Sequence, residues 1–354
     1  MLRIEPKRKN EMERIEIKAL QYLKERIMHR DDLLGANIHR TSFHNAWFTK
    51  ENYWKSLDSI AGTLLEEENI RKWMEQYRFP VGREFRKVVG LIFAGNIPAV
   101  GFHDFLSVYL SGHRGQIKLS SKDPYVFPAM LDIMKKVDPL LPSRIQIVDQ
   151  LRDFEAVIAT GSDNTNRYFE KYFGGYPSVL RKNRTSVAIL DGSESMEDLS
   201  GLGRDVFDYF GLGCRNVTKI YVPRDYDFSR FLEETKLFAA LRNHHKYKNN
   251  YDYYLSIELL NQSEIISNDY LILKPERERL SSPVGTLYYE EYSDVTRVQK
   301  DLAQRQELIQ TVVGRHPVGN LPLVRFGETQ IPGIFDYPDN VDLGHFLFEI
   351  SCLR

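Results

Sequence analysis

The sequence predicts an α/β protein whose mostly parallel sheets are covered on both faces by helices. Three observations carry this. Short apolar runs of strand length alternate with helical patterns through the middle of the chain. Glycine, proline and asparagine close most of those runs, as they do where strands pass into turns. The chain has 354 residues, enough for a large core split over two lobes.

Residues 1 to about 80 are polar and helical in pattern. EIKALQYLKERI and YWKSLDSIAGTLLEEENIRKWMEQY repeat apolar residues at helical spacing. Trp47, Trp54 and Trp73 all fall here, which suits a packing layer over one side of the main domain. From Phe85 the pattern changes. FRKVVGLIFAGNIP reads as a strand ended by Gly95, Asn96 and Pro98, AVGFHDFLSVYL as a helix, and QIKLS as a strand. PYVFPAMLDIMKKV is a helix closed by Pro139 and Pro142. IQIVD and AVIAT are strands, TNRYFEKYF a helix, and TSVAIL a further strand. A helix, the Cys214 turn and the strand VTKIYV follow, then the helical FSRFLEETKLFAALRN and the polar HHKYKNNYDYY. PVGTLYYEEY predicts a strand pair.

Lys and Arg number 48 against 49 Asp and Glu, so no charge excess points to nucleic acid or an anionic membrane. No run reaches the length of a membrane span, and the N-terminus lacks the apolar core of a signal peptide. Two cysteines, Cys214 and Cys352, cannot form a disulfide framework. The expectation is a cytoplasmic protein with free thiols.

Four stretches carry candidate chemistry. Cys214 sits on the glycine turn GLGCRN, where Gly211 and Gly213 permit close backbone approach. A thiolate beside oriented backbone N–H groups is a good nucleophile toward carbonyls. Asn96 ends a strand, either as a turn residue or as an amide donor able to hold an oxyanion. In IKLSSKDP, Lys118 precedes Ser120, Ser121 and Lys122, either as a strand-end surface residue or placed to meet a nucleotide ribose or phosphate. In ATGSDN, Gly161 and Ser162 end a strand, either as a capped turn into the next helix or as a close approach to a dinucleotide. Other patterns fail. The Gly201 to Val206 stretch lacks the last glycine of a dinucleotide fingerprint, and Gly319 is followed by Asn320 rather than the phosphate-loop lysine. His244 and His245 lack companions at zinc spacing, so no metal is expected.

The order GNIP, KLSSKDP, ATGS and then GLGCRN resembles the aldehyde dehydrogenase superfamily, from about Lys87 to the C-terminus. SSPVGTLYY and VRFGETQIPGIFDYP are similar to its later conserved regions. Within it the chain most resembles the Lux-type fatty acyl-CoA reductases, through GNIPAVGFHDFL, the Asp336 to Asp342 tail and the arginine after the cysteine. The resemblance implies an aldehyde-dehydrogenase-like fold of two lobes, each with a mostly parallel covered sheet, plus an N-terminal helical region. The implied domains are 1–84 (helical), 85–190 (nucleotide-binding), 191–325 (catalytic) and 326–354 (a tail returning to the nucleotide domain or to an oligomer interface).

It also implies roles. Cys214 is the acyl-accepting nucleophile and Asn96 the oxyanion donor. Lys118, Ser120, Ser121, Lys122, Gly161 and Ser162 line a nicotinamide cofactor. The family's water-activating glutamate is missing from the matching segment SVLRKNR, Ser178 to Arg184, which suits a reductase that must protect its thioester, or a non-catalytic relative. Ser121 replaces the glutamate that binds a ribose 2′-hydroxyl, and Lys122 follows it, which favours NADPH over NADH. The ribose-binding glutamate of the family falls near Glu278 and Arg279 without an assignment. The implied substrate is a fatty acyl-CoA, with an acyl-adenylate-forming ligase as a possible acyl donor and a homo-oligomer as the assembly, its subunits paired through LGHFLFEISCL as an added edge strand.

Overall fold

The structure is a computed structural model and describes residues 6–80, 82, 86–161 and 163–353. The chain forms two compact units, residues 1–182 with 332–354, and residues 183–331. The first holds α1 (Pro6–Met28), α2 (Asp32–His44), α3 (Lys50–Ser59), α4 (Glu67–Tyr77), β1 (Val88–Ile92), α5 (Phe102–Ser111), β2 (Arg114–Lys118), α6 (Val126–Lys135), α7 (Leu141–Arg144), β3 (Ile145–Ile147), β4 (Ala156–Thr160), α8 (Asp163–Phe173) and β5 (Ser178–Arg181). The second holds β6 (Thr185–Ile189), α9 (Met196–Phe207), β7 (Val217–Pro223), α10 (Ser229–Glu234), α11 (His245–Leu260), β8 (Ile266–Ser267), β9 (Ile272–Pro275), β10 (Thr286–Tyr292), α12 (Val295–Gln304), β11 (Ile309–Gly314) and β12 (Leu323–Val324). The last helix, α13 (Leu343–Cys352), belongs to the first unit. No helix among the described residues is long and apolar enough to cross a membrane.

The first unit's sheet has the order β3-β2-β1-β4-β5 and is parallel throughout. Strand order reverses at β1: the chain runs outward through β2 and β3, then crosses to β4. In such sheets the crevice for ligands opens at the carboxyl ends of the strands flanking the reversal. Here those ends carry Gly95–Asn96 after β1 and Thr160–Gly161 after β4. Helix α5 is buried along its whole length. Its polar residues survive burial because each finds a partner. His103 Nε2 donates to the Ile334 carbonyl at 3.0 Å, Ser107 to the His103 carbonyl at 3.0 Å, and Asp104 pairs with Arg181 at 2.7 Å.

The N-terminal helices are not a separate domain. Leu20, Leu57, Ile70 and Trp73 join one apolar core with Val89, Phe105, Met130 and Ile158. The tail closes the same core. Trp73 Nε1 donates to the Tyr337 hydroxyl at 2.7 Å, and Tyr77 donates to Asp342 at 2.8 Å. LGHFLFEISC forms α13 rather than the expected edge strand. Asp342 caps it by accepting the His345 amide at 2.9 Å, and its buried Leu343, Leu347 and Ile350 recur at helical spacing. The strand on which subunit pairing was to rest is therefore absent.

The second unit's sheet has the order β12-β11-β6-β7-β10-β9-β8, parallel except for the antiparallel β8 edge. PVGTLYYEEY supplies one strand, β10, not a pair, because it pairs in parallel with β7 on one side and β9 on the other and contains no turn. The sequence reading put the domain boundary after residue 190. The units divide after Lys182, because β6 hydrogen-bonds β7 and β11 of the second sheet. Likewise the tail joins the first unit from Pro332, not from residue 326.

Candidate active site

Cys214 stands at the tip of a turn leading into β7, half-buried. The turn is built from unfavourable local geometry. After α9 the chain passes through three consecutive left-handed residues, Tyr209 (φ 53°), Phe210 (φ 60°) and Gly211 (φ 73°). Only the glycine adopts this without cost; each aromatic carries about 1–2 kcal/mol of strain. Packing holds them there. Tyr209 and Phe210 are buried, and the Phe210 ring lies 4.3 Å from that of His244.

Asn216 then fixes the tip. Its Oδ1 accepts the Gly213 amide at 2.8 Å, and its Nδ2 donates to the carbonyls of Asp205 at 3.0 Å and Asp208 at 2.9 Å. Asn216 is fully buried, so these bonds replace all its contact with water. Its own amide closes the turn onto the Gly213 carbonyl at 3.1 Å. Ser186 of β6 donates to the Cys214 carbonyl at 3.1 Å, where the β6–β7 register slips between Ser186 and Val187. The slip is a local irregularity of the kind that re-aims a chain beside a site. The Ser282–Thr286 segment lies behind the turn, lining a cavity of about 20 Å3 with Phe210 and Gly211.

Asp205 ties the Phe326–Thr329 segment to α9. It accepts the Gly327 amide at 2.7 Å and the Thr329 amide at 3.1 Å and hydroxyl at 2.8 Å. Burial pushes its carboxyl up to about 6, against the lowering effect of those bonds. Close packing requires Gly201, where a Cβ would lie 2.8 Å from the Phe326 carbonyl.

The other candidates lie in the first unit, and the structure brings several together. Gly95, just before Asn96, packs against the β2 loop: a Cβ at Gly95 would lie 2.2 Å from Ser120 Oγ and 3.0 Å from Lys122 Cβ. The GNIP and KLSSKDP loops thus touch at the carboxyl ends of adjacent strands. Ser120 Oγ accepts the Lys122 amide at 3.2 Å, shaping the loop, while Lys118, Ser121, Lys122 and Asn96 are all exposed. Gly161 follows β4, its amide on the Arg181 carbonyl at 3.4 Å. Ser162 lies outside the described residues.

Asp123 holds both loops. It accepts the Ala99 amide at 3.1 Å and the Tyr53 hydroxyl at 2.9 Å, and Ser56 of α3 donates to the Pro98 carbonyl at 2.8 Å. Burial pushes the Asp123 carboxyl up to about 6, against those two bonds. The sequence reading quoted Asp123 only as part of a loop and passed over Asn216, Asp205 and Ser186. Asn two places after a cysteine on a glycine turn was a usable signal, since Asn side chains close turns on their own backbone. Tyr53 and Ser56 gave none, because their partners are over forty residues away.

Segment 178–184 carries no carboxylate. Arg181, at the end of β5, is buried and reaches Asp104 of α5 at 2.7 Å and Thr160 Oγ1 at 3.5 Å. Burial raises the Asp104 carboxyl, opposed by the Arg181 charge. The unassigned family glutamate has a neighbour here in Glu276, whose carboxylate accepts the Glu278 amide at 3.0 Å and shapes the turn after β9. Among the described residues no group of three or more His, Cys, Asp or Glu is placed to hold a metal ion.

No protein-family model and no curated protein matches the chain. Solved structures do. Aldehyde dehydrogenase 21 from Physcomitrella patens, in complex with the reaction product succinate, superposes with a TM-score of 0.67 at 9% identity, over 95% of this chain and 84% of that one. An NAD-dependent aldehyde dehydrogenase from Burkholderia multivorans gives 0.62 at 11% identity, over 92% and 74%. A mutant aldehyde dehydrogenase from Bacillus cereus gives 0.59 at 12%, over 84% and 71%. The fold of this chain is that of the aldehyde dehydrogenases.

Proposed function

We propose that the protein is an NADPH-dependent reductase of fatty acyl thioesters, working through an acyl group on Cys214, as in the Lux-type acyl-CoA reductases that its sequence resembles. The observation that carries the reading is the Cys214 turn: a half-buried thiol at the tip of a strained turn, braced by a fully buried asparagine, in an aldehyde dehydrogenase fold. A merely structural thiol requires no such bracing.

In this reading the Cys214 thiolate attacks the thioester carbon, and the oxyanion takes hydrogen bonds from the Asn96 side-chain amide and the Cys214 backbone amide. CoA leaves as its thiol. A nicotinamide cofactor, when bound, would supply the hydride that reduces the acyl-cysteine carbon. Protonation and collapse of the hemithioacetal then release the aldehyde and free the thiol.

The reading seats the dinucleotide at the β1/β4 reversal, where parallel sheets of this kind take ligands. Gly161 permits close approach there, the Gly95–Ser120 contact closes one side, and Lys118 and Lys122 offer cations to phosphate. Arg181 supports reduction over oxidation. In the segment matching the water-activating glutamate, the only buried charge belongs to a guanidinium already paired with Asp104, so nothing there generates hydroxide to hydrolyse the acyl-cysteine.

The test is single-turnover labelling. Radiolabelled medium- and long-chain acyl-CoA is mixed with the protein without nucleotide, then chased with NADPH or NADH. An adduct on Cys214, absent from Cys214→Ala and discharged as aldehyde, is expected. Labelling only from an acyl-adenylate would move the donor to a ligase partner. No adduct from either donor would overturn the reading in favour of a non-catalytic subunit.

A further inference from the structure

The N-terminal helices carry no motif, yet the end of α2 lies on the loop that follows β2. His44 Nε2 donates to the Ser121 carbonyl at 2.7 Å, and Asn45 Nδ2 to the Lys122 carbonyl at 3.3 Å. One turn earlier, the Arg40 guanidinium lies over the Tyr125 ring, 3.9 Å from its centroid. The His44 ring meets the same tyrosine edge-on at 5.5 Å.

These contacts bring the Arg40 guanidinium and the His44 ring beside two exposed loop residues, one of them the cation Lys122. Arg40, His44, Lys118 and Lys122 are all exposed, and among the described residues none of them has a carboxylate partner. Other exposed cations of the N-terminal helices do have carboxylate partners, Arg30 with Asp58, Arg71 with Glu67 and Lys72 with Glu68. The one carboxylate in the loop, Asp123, is buried and turned to Tyr53 and Ala99. An arginine stacked by its face on an aromatic ring keeps its N–H edge free in the plane, which is how guanidinium binds a phosphate with two parallel bonds.

The end of the second strand is where dinucleotide sheets sort cofactors, a carboxylate favouring a ribose 2′-hydroxyl and a cation a 2′-phosphate. We infer that Arg40 and His44 of α2, with Lys122, form the seat for the adenosine 2′-phosphate, so that cofactor choice is set in part by the N-terminal helices. The inference rests on the proposed nicotinamide cofactor. His44 has two tasks in it: its Nε2–H holds the loop through Ser121, and on binding, with a second proton on Nδ1, it would donate that N–H to the anion.

The experiment compares adenosine 2′,5′-bisphosphate with adenosine 5′-monophosphate by calorimetric titration of the full chain. The wild type is expected to prefer the bisphosphate. Arg40→Ala should weaken the bisphosphate about tenfold, the loss of one charge-assisted pair, and leave the monophosphate unchanged. Arg40→Lys should retain part of the preference. His44→Gln, which keeps a donor for Ser121, should lower it without affecting the monophosphate. Unchanged preference in all three variants would overturn the inference and leave the cofactor reading standing. Failure of the wild type to bind either nucleotide or NADPH would overturn both.

Discussion

The buried carboxylate of Asp123 accepts the backbone amide of Ala99, a residue held at φ 54°, across 3.1 Å. This bond anchors the turn that carries Asn96, and α3 reinforces it through Tyr53 and Ser56. Asp123→Ala leaves a buried amide without a partner, which costs about 1–3 kcal/mol. Urea unfolding should show a loss in that range, with a smaller loss for Tyr53→Phe. Equal stability of Asp123→Ala and wild type would show that the anchor contributes nothing.

Two aspartates give stability a pH signature. Burial pushes Asp123 and Asp205 up to about 6 from an ordinary 3.8. Between these values the folded chain holds more protons than the unfolded one, so the contribution is fully present below the lower value and is lost as pH rises through the upper. Asp123→Asn and Asp205→Asn should each flatten the fall in stability between about pH 4 and about pH 6. Unfolding free energies at several pH values measure it; slopes matching the wild type would refute it.

Asn216 should matter more than its neighbours for thiol chemistry. Asn216→Ala removes the acceptor for the Gly213 amide and the donor for two carbonyls, in a fully buried place. A loss of about 2–4 kcal/mol is expected from several unmet groups. The alkylation rate of Cys214 by iodoacetamide should change as the tip relaxes, while exposed Cys352 reacts as before. An unaltered Cys214 rate would detach Asn216 from the site.

Gly95 and Ser120 form a testable pair. Gly95→Ala drives a methyl against the Ser120 side chain, a clash worth about 1–3 kcal/mol. Gly95→Ala with Ser120→Gly should recover most of the stability, since the two closest atoms are gone and only the tight Lys122 Cβ contact remains. Failure to recover would mean that Gly95 is needed for its backbone rather than for the contact.

Arg181→Leu leaves Asp104 buried without its cation and should cost about 3–5 kcal/mol. Arg181→Leu with Asp104→Leu should cost less than the sum of the two single changes, as contacting residues do. Additive single costs, read from thermal or urea unfolding, would deny the coupling.

The sequence disclosed the strands of the first sheet well, because β1 and β4 are short apolar runs and β2 alternates exposed Arg114 and Lys118 with buried Gly115 and Ile117. It disclosed Cys214 and the two β-strand loops through their residue types. It missed β11, whose ELIQTVVG lies in a stretch read only for its turns, and α11, whose tyrosines and lysines show no apolar face. It misread α13 because LGHFLFEISC is apolar almost throughout, where strand and helix periods cannot be told apart, and the deciding cap is the single residue Asp342. The braces on the site were illegible for another reason. Tyr53 with Asp123, and Asp205 with Thr329, are tertiary pairs whose spacing in the chain carries no period.

The first unit is interrupted: its last segment, with Tyr337 and α13, arrives only after residues 183–331. During synthesis, then, the second unit is complete while the first still lacks the cover for Trp73, Tyr77 and His113. Its sheet and helices emerge early with an apolar face open, and residues 332–353 close it only after the second unit has been made. A chaperone that shields aromatic surface would be needed longest by the part of the chain made first.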